Sequence, residues 1–67
     1  MSEQTHTLER FQAITVLESL CVAIRKYDTL LRQTQDEETI WCLTTVRNNF
    51  VNVHNEIATT FGYPSVQ

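Results

Sequence analysis

Sixty-seven residues with eight acids against five bases, a net charge of −3, make one small domain, and a chain of this length buries only about 60% of the surface its unfolded form exposes. The acidic balance argues against a chain held to nucleic acid by bulk electrostatics, which needs a clustered positive face, and the 42% apolar content excludes compositional disorder. Two cysteines, Cys21 and Cys42, are too few for a disulfide scaffold; no secretory apolar region follows Met1 and no apolar run approaches the roughly 18 residues a membrane span needs, so a reducing, cytoplasmic setting is expected.

One Gly and one Pro, both in the segment FGYP, leave almost no turn punctuation, which predicts a few long helices. Helix 1 is expected over about residues 7–34, where Ala13, Leu17, Leu20, Ile24, Tyr27 and Leu31 recur at alternating spacings of 4 and 3. Val16, Ala23 and Leu30 widen that stripe on one side, and Ile14 and Cys21 on the other. At 100° per residue the apolar arc reaches about 200°, whereas a surface helix meets one neighbour with an arc only somewhat above 100°.

Thr34 precedes Glu37 at the spacing of a capping box, and Asp36 and Glu38 suit the positive end of a helix dipole. A break near residues 33–35 follows, with helix 2 over about 35–61. Its stripe is Leu43, Val46, Phe50, Val53, Ile57 and Phe61. Gly62 can take the left-handed cap conformation and Pro64 cannot continue the helix, so a short tail occupies 62–67.

Two helices of about 40 Å each joined by so short a connection fold back antiparallel. The fold class is therefore all-α, a single antiparallel two-helix hairpin. With the turn centred near residue 35, positions whose numbers sum to about 70 face each other: Tyr27 with Leu43, Ile24 with Val46, Leu20 with Phe50, Leu17 with Val53, Ala13 with Ile57. Cys42 then lies roughly 10 Å along the axis from Cys21, beyond disulfide reach, and both are expected as small buried hydrophobes. One neighbouring helix cannot cover the wide arc of helix 1. Pairing of two hairpins into a four-helix bundle is expected, as a homodimer or higher homo-oligomer, through Val16, Leu20, Ala23 and Leu30.

Chemistry-bearing residues are sparse. His6 and His54 are the only histidines; His54 falls near the edge of the core stripe close to Leu17 and Cys21, but no four-ligand Cys/His set accompanies it. Neither a metal nor a cofactor is expected. A hairpin offers little concavity in which a nucleophile, a base and an orienting group could converge, so no enzyme is expected. Arg25, Lys26, Arg32 and Arg47 cluster towards the turn, an arrangement that resembles, in architecture only, the small plasmid RNA-binding hairpin dimers of the Rop type. Asp28 and the carboxylates at 36–38 lie among these bases, and exposed ion pairs worth under about 1 kcal/mol each account for them better.

The more specific feature is RNNFVNVHNEI, residues 47–57, with four asparagines in eleven positions, although each costs a helix interior roughly 0.5 kcal/mol relative to alanine. On the helical wheel Phe50, Val53 and Ile57 centre one face. Asn48, Asn52 and Asn55 fall roughly opposite, with Trp41, Thr45 and Thr59. Uncharged donors and acceptors beside the single tryptophan suit a partner-binding surface. The expected function is a small protein-binding regulator, adaptor or inhibitor, of the kind common in bacteria and bacteriophages, acting on an unidentified protein. A Rop-like nucleic-acid binder and a purely structural subunit are the alternatives.

Overall fold

In the computed structural model, which describes the backbone of residues 2–66 and the side chains of residues 9–66, helix α1 runs Ser2–Gln33 and helix α2 runs Glu37–Phe61. They pack against each other as a hairpin, a rod of 53 × 15 × 15 Å. The fold is all-helical, as the spacing predicts. Helix α1, expected from about residue 7, begins at Ser2 and has 32 residues against the 25 of α2, so its first turns project beyond the foot of α2. His6 lies there, outside the described side chains.

Residues 34–36 break the two helices, and the cap is Asp36, not Thr34. The Asp36 carboxylate accepts from the Thr39 backbone N–H at 2.9 Å and from the Thr39 hydroxyl at 2.6 Å. Thr34 does not form the expected capping box: its side chain is turned back onto α1, where its hydroxyl donates to the Leu30 carbonyl at 2.7 Å. Two capping residues compete within three positions. The one whose side chain is not turned back onto the preceding helix starts α2, and Glu37 and Glu38 in the first turn complement the dipole.

At the foot, Gly62 adopts φ 76°, ψ 23°. Its N–H donates to the Thr59 carbonyl at 3.2 Å, and the Tyr63 N–H donates to the Ala58 carbonyl at 2.8 Å. Those two bonds form the Schellman arrangement. The chain reverses there, so residues 63–66 run back alongside α2.

The core is thin. Ala13, Leu17 and Ile24 of α1 are buried with Ala58 and His54 of α2, and no large side chain is fully buried among the described residues. Burying a Leu or Ile contributes only about 2 kcal/mol. The inward face of α2 is therefore rotated from the expected stripe: His54 and Ala58 face in, while Val46 and Val53 stand at 37% and 45% exposure. Cys42, expected buried, is exposed, and Cys21 is half-buried; both are free thiols.

The register shifts for a geometric reason. Tyr27 meets Phe50 with ring centroids 5.6 Å apart, and Asp28 meets Arg47 at 2.5 Å. Helical side chains lean towards their own N-terminus. Those of α1 lean away from the turn and those of α2 towards it, so contacting pairs sum to about 75–77 rather than to the value of about 70 that backbone positions alone give.

Candidate functional site

A hairpin of two helices has two lateral grooves, one on each side of the seam. On one side Leu20, Val46, Asn49, Phe50 and Val53 line an open apolar groove. Leu20 of the expected pairing surface lies in it. Val16, exposed at 42%, and the half-buried Ala23 and Leu30 follow at helical spacing on the same flank of α1. The α2 wall of Val46, Phe50 and Val53 was missed as part of this surface because those residues are assigned to the seam by periodicity alone.

The outer face of α2 carries Trp41, exposed at 69%, with Thr45, Asn48, Asn52 and Thr59, all exposed. It faces away from the seam. Thr45 does not offer its hydroxyl hydrogen outward: it donates to the Trp41 carbonyl at 2.9 Å. Thr15, Ser19, Thr29 and Thr60 bond back to their own helices in the same way, which reconciles many hydroxyl residues with long helices.

Asn55 separates from that face. It is half-buried, and its carboxamide grips the chain's own tail: Nδ2 donates to the Val66 carbonyl at 2.7 Å, and the Val66 N–H donates to Oδ1 at 2.8 Å. The same Oδ1 lies 3.0 Å from Nδ1 of His54, a side chain only 4% exposed. His54 is thus a satisfied interior histidine that orients Asn55. The tail bounds the second lateral groove, whose other wall is Ile14, Leu17, Glu18, Cys21, Val22 and Arg25 of α1. Sequence reasoning missed this clamp. Its one signal was the Gly-Tyr-Pro reversal, which aims the tail back at the polar residues one to two turns upstream.

Electrostatic groups are distributed, not convergent. Two hydrogen bonds from Thr39, the side-chain one first, hold the fully exposed Asp36 carboxyl below its ordinary range. Arg47 of the basic cluster is engaged with Asp28, the two side chains 21% and 39% exposed. Arg32 donates to the Thr29 hydroxyl at 3.3 Å. Among the described residues no group of three His, Cys, Asp or Glu side chains could hold a metal ion, and no helix is long and apolar enough to cross a membrane. No protein-family model, curated protein or solved structure matches the chain.

Proposed function

We propose that the protein is a small cytoplasmic protein-binding regulator, an adaptor or an inhibitor, assembled as two hairpins joined through the groove of Leu20, Val46, Phe50 and Val53 into a four-helix bundle. The observation that carries this reading is the imbalance of apolar burial. Ala13, Leu17, Ile24 and Ala58 are the only buried apolar side chains among the described residues, while Val16, Val46 and Val53 stand exposed along one flank and Trp41 on the outer face. A unit that packs so little on its own gains stability by association, and a two-fold pair is the commonest form.

Pairing through that groove leaves the outer face of α2 free. Trp41 supplies a large amphipathic contact of the type enriched at binding hot spots. Asn48, Asn52 and Thr59 surround it with hydrogen-bonding groups that carry no charge to desolvate, and Thr45 and Asn55 border it. The protein acts by binding, not by chemistry of its own.

The test is capture from a lysate of the source cell. Trp41→Ala and the double change Asn48→Glu with Asn52→Glu retain helix content and assembly mass, yet lose the protein that the unaltered chain retains. Capture that survives both changes places the partner surface elsewhere.

A further inference from the structure

The two lateral grooves of the hairpin are not equivalent. One is open. The other carries residues 62–66 along its α2 side, held at both ends: by the Gly62 cap, with Tyr63 N–H on the Ala58 carbonyl, and by the two-way clamp of Asn55 on Val66. Pro64 stiffens the span between. Leu17, Cys21 and the buried His54 line this groove together with the tail, and Ile14 and Val22 on its α1 side are exposed at 37% and 59%.

We infer that the tail is an intramolecular cap on a second self-association surface, and that by occupying the α2 side of this groove it stops assembly at a closed pair. The inference rests on the pairing described under Proposed function. A backbone clamp built from one carboxamide does not read the side chain it holds, so the tail serves to fill space, and the wall it faces on α1 carries Ile14, Leu17, Cys21 and Val22. The uncovered rim is self-complementary. Glu18 and Arg25 stand two turns apart on the same flank with Cys21 and Val22 midway between them, so a second copy placed antiparallel about that midpoint sets each carboxylate opposite a guanidinium. The occupant on release of the tail is therefore another copy of this chain. With both grooves open, hairpins join side by side beyond two.

Asn55→Ala removes both bonds to Val66, and Val66→Pro removes the backbone donor from the tail side without touching either helix. Both are made in a Cys42→Ser background, where Cys21 is the one remaining thiol. Sedimentation velocity across a concentration series, together with the rate at which a maleimide labels Cys21, reads the outcome. The expected result is growth of both variants past the parent species with rising concentration, and Cys21 labelled in dilute solution about fivefold faster in Val66→Pro and about thirtyfold faster in Asn55→Ala, the factors expected for one and for two lost hydrogen bonds. Adding Glu18→Arg to either variant reverses the growth.

Faster labelling with no growth shows a cover that caps nothing and overturns the inference, as does unchanged labelling. A monomeric parent contradicts the proposed pairing alone. In that case a dimer gained by the tail variants still supports the cap, and its absence overturns it.

Discussion

Tyr27 and Phe50 face each other across the hairpin with ring centroids 5.6 Å apart and planes inclined by 30°, and this contact fixes the register of the seam. Offset aromatic pairs of this kind couple by about 1 kcal/mol beyond their buried area. A double-mutant cycle of Tyr27→Ala and Phe50→Ala, read by urea unfolding at fixed protein concentration, is expected to return a coupling of that size.

Leu17 is 8% exposed and belongs to the small set of residues that the seam buries. Leu17→Ala removes about 2–4 kcal/mol, a large fraction of what so thin a core supplies. Val22→Ala, on the exposed flank of the same helix, changes stability by less than about 0.5 kcal/mol. Thermal unfolding followed by circular dichroism separates the two.

Gly62 holds φ 76°, and a Cβ added there meets no atom within 4 Å. The consequence of substitution is therefore backbone strain alone. Gly62→Ala is expected to cost about 1 kcal/mol, and Gly62→Asn less, because asparagine tolerates the left-handed region. The loss is accompanied by faster amide exchange at Tyr63, whose N–H depends on that turn.

The Asp36 carboxyl titrates below its ordinary value because Thr39 donates to it twice. A depressed folded-state pKa means that the stabilisation is complete above the unfolded value, near 4, and is lost as the pH falls through the lower folded value. Asp36→Asn keeps an acceptor for the Thr39 N–H and is expected to flatten the acid limb of a stability–pH profile. Asp36→Ala lowers stability at neutral pH as well. An unchanged acid limb in Asp36→Asn contradicts the assignment.

The helices and the ends of the hairpin were legible because local chemistry writes them. The 3–4 spacing of Ala13, Leu17, Leu20 and Ile24 gives α1, and Gly62 with Pro64 ends α2. The rotation of α2 was not legible. Val46, Phe50, Val53 and Ile57 form the more apolar stripe, yet His54 and Ala58 turn inward, because an arc wider than one neighbour can cover leaves the choice to tertiary contacts. His54 is satisfied only through Asn55, and Asn55 binds Val66 eleven residues away. No periodicity encodes such a chain of contacts. For the same reason the asparagine face divides: Asn48 and Asn52 remain exposed with Trp41, while Asn55 belongs to the tail.

The pairing of hairpins through Leu20, Val46, Phe50 and Val53 is the claim on which the rest depends, and equilibrium sedimentation at micromolar concentration tests it most directly. The unaltered chain is expected at twice its 7.8 kDa mass. Val53→Asp, which places a charge in the open groove and leaves the buried side chains of the seam in place, is expected to shift the population towards the single chain. A 7.8 kDa species alone for the unaltered chain, or a pair that Val53→Asp leaves intact, contradicts the account.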